Sequence, residues 1–284
     1  MATTLGLDIG GSSVKAAVYV DGNFVRCGQS PFYYRPTKAQ LLTAIHAAVG
    51  SVRELKSVGL CVPGLMDEQR RVITLSVNVP GLTGLPFDQL VPEALSLNGG
   101  ERPVISASND AAATAFDIYR TRRLSGRLLV ITLGTGVGAA VIDGGSLLRV
   151  EGESPGHIGQ IDVSIPEQDV VAPDGGAGGL EGYIGVPALR QQYGPDFASV
   201  MAHFTGDEPA ILALVRALRI CHAIYRPQHI CLCGGVGIRL RHLLPVIREK
   251  ANQRLTSVSR SNWTLDCGED DFHAARGAAQ LVER

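Results

Sequence analysis

Two short glycine-rich segments at strand ends are the residues of this chain best suited to chemistry. Residues 8–13 read DIGGSS and follow the apolar run 5–7, and residues 133–138 read LGTGVG at the end of the run 128–133. Turns of small residues let several backbone N–H groups converge on one anion, and glycine supplies the positive-φ conformations such turns need. Together the segments predict two similar lobes that close on a nucleoside triphosphate. Either segment alone is equally consistent with an ordinary tight hairpin.

Composition excludes several classes of function. The 284 residues include 26 Lys and Arg against 27 Asp and Glu, so no overall field favours nucleic acid or an anionic membrane. The apolar runs are too short to span a bilayer, and no basic segment leads into a sustained apolar stretch near residue 1. We therefore expect a cytoplasmic protein with no nucleic-acid and no membrane partner. The 45% hydrophobic content suffices for sizeable cores.

The six cysteines are scattered along the chain, which predicts buried free thiols rather than disulfides. Cys231 and Cys233 share one face of a predicted strand, so they could also form half of a metal site. Their spacing of one intervening residue favours free thiols.

The first half of the chain predicts a strand meander followed by a parallel crossover. A strand ending at residue 8, a strand over 14–20 and a third through 24–25 are separated by turn residues. A helix over 38–49 and strands over 58–62 and 104–107 follow. Residues 109–110 then begin an alanine-rich helix that runs to about residue 122.

The second half repeats this plan, which indicates an internal duplication. We predict strands over 128–133, 137–142, 147–150 and 229–233, and helices over 186–192, 207–225 and 238–254. Residues 151–182 lack periodicity and are rich in Gly, Pro and Asp; a loop of that length is expected to carry part of a site. We place an N-terminal lobe at 1–112, to which a helix at about 271–284 returns, and a C-terminal lobe at 113–270.

Six motifs, in order along nearly the whole chain, resemble the ROK family of sugar kinases and related repressors. They are residues 5–11, Asn109-Asp110, residues 133–138, Gly156-His157, Gly179-Leu180-Glu181 and residues 233–237. The resemblance implies an α/β fold of two actin-like (ribonuclease H-like) lobes, each a mixed five-stranded sheet flanked by helices, with a cleft between them. It further implies a homodimer.

The activity that this resemblance implies is transfer of the γ-phosphoryl group of ATP, with Mg²⁺, to a hydroxyl of a hexose or hexose derivative. Asp110 is the implied general base, because a carboxylate that removes the hydroxyl proton accelerates such a reaction by roughly 10²–10⁴. The same residues, Asn109 and Asp110 followed by three alanines, are also expected where Asn and Asp only cap the start of a helix.

The resemblance assigns phosphate and nucleotide binding to one set of residues and sugar binding to another. The first set is Asp8, Gly10, Gly11, Ser12, Gly134, Thr135, Gly136, Gly234, Gly235 and Val236, with Asp8 holding hydrated magnesium. The second set is Asn78, Asn109, Asp110, Glu153, His157 and Glu181. Several of these residues have a structural alternative: Asp8 and Asn78 as turn residues, His157 as a loop histidine, and residues 234–237 as a tight strand-to-helix connection. Lys15 is either an exposed strand residue or a positive charge near the phosphates.

The chain departs from the family pattern at the zinc site. Most members bind zinc there through three cysteines and the histidine that corresponds to His157. Residues 172–181 read APDGGAGGLE, so all three cysteines are absent. His157 with Asp174 would bind zinc only weakly, and we expect no structural zinc, the loop being ordered by hydrogen bonds or by substrate. Glu153 lies four residues before His157, where the family spacing is three, so a bulge realigns it or Ser154 takes its place.

Two other classes of function compete with a kinase. A sugar-binding or nucleotide-binding protein that has lost catalysis is favoured by the altered zinc loop, whereas Asp8, Asp110 and both glycine turns argue against it. A repressor of the same family would carry a helix-turn-helix before the first turn. Asp8 lies only seven residues after Met1, so we expect no such module here.

Overall fold

The computed structural model describes residues 1–67, 71–97, 102–150, 152, 154–173 and 175–282. The chain divides into two compact units: unit 1 is Met1–Asp117 with Phe272–Arg284, and unit 2 is Ile118–Asp271. Across the described ranges, no helix has both the length and the apolar character needed to cross a membrane.

Twelve strands and ten α-helices are assigned within the described ranges. The strands are β1 (Thr3–Ile9), β2 (Val14–Val20), β3 (Asn23–Gln29), β4 (Leu55–Cys61), β5 (Leu65–Asp67), β6 (Val72–Leu75), β7 (Val104–Ser108), β8 (Leu128–Leu133), β9 (Val137–Asp143), β10 (Ser146–Leu147), β11 (His229–Cys233) and β12 (Thr264–Cys267). The helices are α1 (Lys38–Val49), α2 (Phe87–Leu95), α3 (Asp110–Thr121), α4 (Leu180–Ile184), α5 (Val186–Tyr193), α6 (Phe197–Met201), α7 (Pro209–Tyr225), α8 (Gly234–Arg239), α9 (Leu244–Arg254) and α10 (His273–Val282).

Each unit contains one mixed five-stranded sheet, and the two sheets have the same plan. The order is β3-β2-β1-β4-β7 in unit 1 and β10-β9-β8-β11-β12 in unit 2. In each sheet the first three strands form an antiparallel meander, and the last two run parallel to the central strand. The predicted duplication is therefore present in the topology.

The C-terminal helix α10 packs on the sheet of unit 1 at very short range. A Cβ atom added at Gly6 of β1 would lie 1.8 Å from the carbonyl oxygen of Ala275, and one added at Gly59 of β4 would lie 1.9 Å from that of Ala278. These two strand glycines are needed because the helix backbone occupies the space that a side chain would fill.

A buried carboxylate joins α3 to α10. Asp117 is 0% exposed. Its Oδ2 atom lies 2.6 Å from Nδ1 of His273 and accepts from Nε of Arg276 at 2.9 Å, while Oδ1 accepts from Nε2 of Gln280 at 2.8 Å. Because a charge in the interior is tolerated only when it is paired and hydrogen-bonded, this network fixes α3 against α10.

Some predicted elements differ from the observed ones. The helix predicted over 238–254 is instead α8, a 3₁₀ turn over Leu240–Leu243 and then α9, whose first turn contains Pro245; proline lacks the N–H that would continue the preceding helix. Residues 234–237, predicted as a loop, form the start of α8.

The strand predicted over 147–150 comprises only Ser146–Leu147. The hairpin β5–β6, the short helices α2, α4 and α6, and β12 were not predicted.

Candidate functional site

The parallel strands of unit 1 bring two predicted acidic residues to one edge of the sheet. Asp8 of β1 is in register with Cys61 of β4, and Cys61 is in register with Ser108 of β7. Asp110 begins α3 two residues after Ser108. Neighbouring strands lie about 4.8 Å apart, so β1 and β7 are separated by roughly 10 Å at this edge.

The first glycine turn joins β1 to β2 at the same edge. The N–H of Gly10 donates to the carbonyl of Ser13 at 3.0 Å, which closes the turn as a tight hairpin. The N–H groups of Gly11 and Ser12 donate to no acceptor among the described residues. These two groups, rather than that of Gly10, remain able to bind an anion.

Tyr33 holds this turn from the segment after β3. Its hydroxyl donates to the carbonyl of Gly10 at 2.6 Å, and its N–H donates to the carbonyl of Ser12 at 2.8 Å. Burial, and then the negative charge of Asp8, raise the pKa of the phenol, so the hydroxyl keeps its proton and remains a donor. No sequence pattern singled out Tyr33, because its partners are backbone atoms far from it along the chain.

Asn78 and Lys15 flank the first turn. A Cβ atom added at Gly11 would lie 3.5 Å from Cβ of Asn78, so this exposed asparagine lies directly beside the turn. Lys15 is half-buried and is the cross-strand partner of Asp8. Its positive charge also acts on Asp110, where it lowers the pKa of the carboxyl. Lys15 therefore lies near both acidic residues and is not fully exposed.

Asn109 and Asp110 both bond to the start of α3. Oδ1 of Asn109 accepts from the N–H of Ala112 at 2.6 Å, and Oδ1 of Asp110 accepts from the N–H of Ala111 at 2.8 Å. Asn109 is therefore the helix N-cap, as the structural alternative predicted. Asp110 occupies the first helical position, and its Oδ2 atom has no hydrogen bond to any described residue.

The Asp110 carboxyl is a stronger base than an ordinary aspartate. Desolvation by the surrounding protein raises its pKa, and this effect outweighs the backbone N–H groups of Ala111 and of Asp110 itself and the charge of Lys15, which all lower it. The residue nevertheless remains exposed to solvent. Neighbouring protein atoms thus crowd a carboxyl that a ligand can still reach.

The second glycine turn, in unit 2, is held by Glu181 of α4. The N–H of Gly134 donates to the carbonyl of Gly136 at 3.0 Å, and Oε2 of Glu181 accepts from the N–H of Val137 at 2.8 Å. A Cβ atom added at Gly134 would have no neighbour within 4 Å, and Thr135 is exposed. The outer side of this turn is therefore open.

The expectation that positive φ angles shape both turns is wrong. Gly10, Gly11, Gly134 and Gly136 all lie outside the positive-φ region. At Gly136 a different requirement applies, because an added Cβ atom would lie 2.9 Å from Oε2 of Glu181. Hydrogen bonds from neighbouring elements, not left-handed backbone, shape these turns.

His157 is exposed at the start of a 3₁₀ turn over Ile158–Gln160. The segment before it is pinned by the hydroxyl of Tyr225, which donates to the carbonyl of Pro155 at 2.7 Å. The Ser154 hydroxyl donates to the carbonyl of Gly156 at 2.9 Å, so it is engaged locally. Glu153 and Asp174, both named as candidates above, lie outside the described residues.

The described part of loop 151–182 is ordered by backbone hydrogen bonds. The N–H of Val163 donates to the carbonyl of Gly178 at 2.9 Å, and that of Ala172 donates to Gly176 at 2.8 Å. Within the described residues, no three His, Cys, Asp or Glu side chains come together as a potential metal site. All six cysteines are free thiols, as predicted, but Cys27 is only partly buried whereas the other five are buried. The Sγ atoms of Cys231 and Cys233 are 3.6 Å apart.

The nucleotide candidates after β11 lie in the first turn of α8. Gly234 has a φ of +75°, and an added Cβ atom would lie 2.5 Å from the carbonyl oxygen of Leu133, so only glycine fits there. The side chain of Val236 is 2% exposed and belongs to the core of unit 2. Contacts from Val236 to a ligand are thus restricted to its backbone.

Comparison with known proteins identifies the chain's relatives. N-acetylmannosamine kinase from Escherichia coli is 32% identical over 162 residues, which cover 55% of this chain and 53% of that protein. Glucokinase from Streptomyces coelicolor is 31% identical over 166 residues, which cover 56% of this chain and 47% of that protein. These matches span about half the length of each relative.

Solved structures match over nearly the full chain. The ROK hexokinase from Thermus thermophilus is 22% identical, with a TM-score of 0.71 and coverage of 99% of this chain and 98% of that one. A ROK glucokinase from Streptomyces griseus, in complex with glucose and AMPPNP, is also 22% identical, with a TM-score of 0.72 and 99% coverage of both chains. This likeness confirms the predicted α/β fold of the actin-like type. A model of the ROK family matches residues 4–284, and the chain therefore belongs to the ROK family.

Proposed function

We propose that this protein is an ATP-dependent carbohydrate kinase that transfers the γ-phosphoryl group to a hydroxyl of a hexose or hexose derivative. The observation that carries the proposal is the Asp110 carboxyl, which is accessible, is made more basic by its surroundings and lies at the same sheet edge as Asp8 and the first glycine turn. The curated relatives named as kinases of glucose and of N-acetylmannosamine support the substrate class.

Asp110 acts as the general base in this proposal. The N–H of Ala111 holds Oδ1, and Oδ2 is left to accept the proton of the attacking sugar hydroxyl. As that proton moves to the carboxylate, the sugar oxygen forms its bond to the γ-phosphorus, the bond to the β–γ bridging oxygen breaks, and ADP leaves. Such proton transfer is worth roughly 10²–10⁴ in rate.

The glycine turns are proposed to bind the phosphate chain through backbone donors. In unit 1 these are the N–H groups of Gly11 and Ser12, which lack other acceptors among the described residues. In unit 2 the open side of Gly134 and the exposed Thr135 are suited to the same task. Donors fixed before the reaction stabilise developing charge without reorganisation.

The residues at the sheet edge fit a magnesium ion that accompanies ATP. Asp8 supplies a carboxylate oxygen, the ligand type that Mg²⁺ prefers, and it stands beside a turn whose free N–H groups suit phosphate. Bound magnesium would neutralise charge on the phosphates. Lys15, opposite Asp8, adds a second positive charge from the chain itself.

Sugar binding is proposed for the polar side chains that the family pattern assigns. In unit 1 these are Asn78, beside the first turn, and the amide of Asn109, whose Oδ1 atom is already engaged as a helix cap. In unit 2 they are His157 and Glu181, with Glu153 outside the described residues. Buried sugar hydroxyls need such partners because each unpaired one is costly.

ADP release measured over a panel of hexoses tests this proposal. Glucose, mannose and N-acetylmannosamine are assayed with ATP and Mg²⁺, using the wild-type protein and Asp110→Asn. We expect turnover with at least one sugar, and a fall of orders of magnitude in Asp110→Asn with ATP binding retained. ATP binding without turnover on any sugar would favour a binding protein that has lost catalysis.

A further inference from the structure

An exposed arginine, Arg239, lies over the nucleotide candidates of unit 2 and has no role in the reaction described above. Its Nη1 atom donates to the carbonyl of Gly235, four residues earlier in α8, at 2.7 Å. Its Nε and Nη2 atoms donate to no acceptor among the described residues, and no carboxylate of that part of the chain pairs with it. This exposed guanidinium therefore keeps most of its hydrogen-bonding capacity for a ligand.

Helix geometry directs the Arg239 side chain toward the second glycine turn. Side chains of an α-helix tilt toward its N-terminus, so a residue covers the turn that precedes its own Cα atom. For Arg239 this is the turn that begins at Gly234, where an added Cβ atom would lie 2.5 Å from the carbonyl oxygen of Leu133. Leu133 is the last residue of β8, and the glycine turn follows it directly. The guanidinium thus lies close to the point where α8 contacts the start of that turn.

Gly235 leaves room for the guanidinium. A Cβ atom added there would lie 3.3 Å from Nη1 of Arg239, which is closer than an ordinary van der Waals contact. Gly235 lies outside the positive-φ region, so its backbone does not itself require glycine. The residue is also partly exposed. The missing side chain therefore serves the approach of the Arg239 guanidinium and leaves this surface accessible.

The hydrogen bond to Gly235 leaves both faces of the Arg239 guanidinium unused. Guanidinium N–H bonds lie in the plane of the group, and its faces stack on aromatic rings. Arg248 of α9 shows such an arrangement within unit 2, because its guanidinium carbon lies 5.7 Å from the ring centroid of Trp263. Arg239 has no aromatic partner of this kind in the described ranges. Its faces are available to an aromatic ring supplied by a ligand.

We propose that Arg239 binds the adenine of ATP by stacking its guanidinium on the face of the purine ring. The inference rests on the proposed function, since it takes the nucleotide to lie at residues 234–236. The backbone donors of the glycine turns are assigned to the phosphates, so the base needs a different kind of contact. A delocalised cation on the π-face supplies one. Arg239 is thus a nucleotide-binding residue that does not touch the transferred phosphoryl group.

The test is calorimetric titration of the full chain with ATP and Mg²⁺ in the absence of sugar. We expect Arg239→Ala to raise Kd for ATP by about fivefold or more, the effect of losing one cation–π contact. Arg239→Lys keeps the charge but lacks the planar face, so it should restore little of the lost affinity. Arg219→Ala is the matched control, because Arg219 is an exposed arginine of α7 far along the chain from the nucleotide candidates, and it should bind like the wild type.

Salt dependence separates stacking on the base from pairing with phosphate. Salt screens an exposed charge pair, so a phosphate contact made by Arg239 would lose its effect at high ionic strength. Stacking on the ring should persist, and the ratio of Kd between Arg239→Ala and wild type should stay the same at low and high salt. In steady-state kinetics the same variant should raise KM for ATP and leave kcat unchanged. Its melting temperature should equal that of the wild type, because the side chain is exposed.

Three results would overturn the role of Arg239. They are Arg239→Ala binding ATP as well as Arg219→Ala, Arg239→Lys restoring the wild-type Kd, and a Kd ratio that falls to one at high salt. Each is obtained with a wild-type protein that binds ATP, so the kinase proposal would stand. A wild-type protein that binds no ATP would instead contradict the kinase proposal, and this inference with it.

Discussion

The carboxylate of Glu181 supports the second glycine turn: its Oε2 atom accepts the backbone N–H of Val137 at 2.8 Å, directly after Gly136. The same oxygen would lie only 2.9 Å from a Cβ atom at Gly136. A residue assigned to sugar binding from its motif thus also holds the shape of a turn that we assign to phosphate. The two roles can be separated because turn support affects the binding of ATP, whereas sugar contact affects the binding of the sugar.

Substitutions at Glu181 distinguish turn support from sugar contact. Glu181→Gln keeps an acceptor for the Val137 N–H, whereas Glu181→Ala removes it. If turn support dominates, Glu181→Ala raises KM for ATP by about tenfold, the effect of losing one charge-assisted hydrogen bond, and Glu181→Gln restores most of it. Steady-state kinetics at varied ATP and at varied sugar give the KM for each substrate. An equal rise in KM for the sugar in both variants, with KM for ATP unchanged, would contradict turn support.

The raised pKa of Asp110 predicts the acidic limb of the pH profile. A general base must be deprotonated, so kcat/KM falls as the pH decreases through the pKa of this carboxyl. Because that pKa lies above the ordinary aspartate value, the fall begins at a higher pH than for an unperturbed aspartate. The measurement is kcat/KM from acidic to neutral pH. A profile that stays flat down to the ordinary aspartate range would rule out Asp110 as the base.

The same shift predicts an effect on stability with a defined sign. The folded state binds the Asp110 proton more tightly than the unfolded state, so the contribution of this group to stability is lost as the pH rises through its folded pKa. At neutral pH Asp110→Asn should therefore melt at the same temperature as the wild type or higher. Thermal unfolding at acidic and neutral pH checks this, and a clearly lower melting temperature at pH 7 would contradict it.

Tyr33 offers a matched pair of variants at the first turn. Tyr33→Phe removes the hydrogen bond to the carbonyl of Gly10 and should lower the free energy of unfolding by about 1 kcal/mol. It should also raise KM for ATP, because the turn loses the hydrogen bond that holds it in place. Tyr34→Phe alters the neighbouring ring, which is 86% exposed, and should change neither quantity. If the two variants have the same free energy of unfolding in denaturant, the hydrogen bond to Gly10 contributes nothing to stability.

The buried network of Asp117 predicts a large loss of stability. Asp117→Ala leaves His273 and Arg276 without their shared carboxylate, and breaking a buried pair of this kind costs about 3–5 kcal/mol. Asp207→Ala is the comparison, because its pair with Lys250 is on the surface and should be worth about 0–1 kcal/mol. Urea unfolding of both variants gives the two values. A similar small loss in both would mean that the network does not fix α3 to α10.

Sequence patterns predicted the sheets better than the contacts at the site. The meanders β1–β3 and β8–β10 and the strand β11 follow from apolar runs separated by turn residues, and these features are local. The break between α8 and α9 was missed because residues 238–254 keep an apolar pattern across Pro245. The bonds of Tyr33 to Gly10 and of Glu181 to Val137 join residues 23 and 44 positions apart, and no local pattern encodes them.

The role of Asp110 was predicted from the ROK motif, not from the residue's chemistry. Asn and Asp at a helix start are explained equally well by capping, and the structure shows that Asn109 does cap α3. What distinguishes Asp110 is the position of β7 beside β4 and β1, which brings it to the edge that carries Asp8. That neighbourhood depends on strand order, which residue types alone do not specify.

Phosphorus NMR of ATP and Mg²⁺ incubated with a hexose tests the central claim most directly, because it observes the phosphorylated sugar itself. The wild-type protein should produce a new sugar phosphate resonance together with ADP, for at least one of glucose, mannose and N-acetylmannosamine, and Asp110→Asn should produce neither while still binding ATP. Sugar phosphate formed equally fast by Asp110→Asn, or ADP formed with no phosphorylated sugar, would contradict the account.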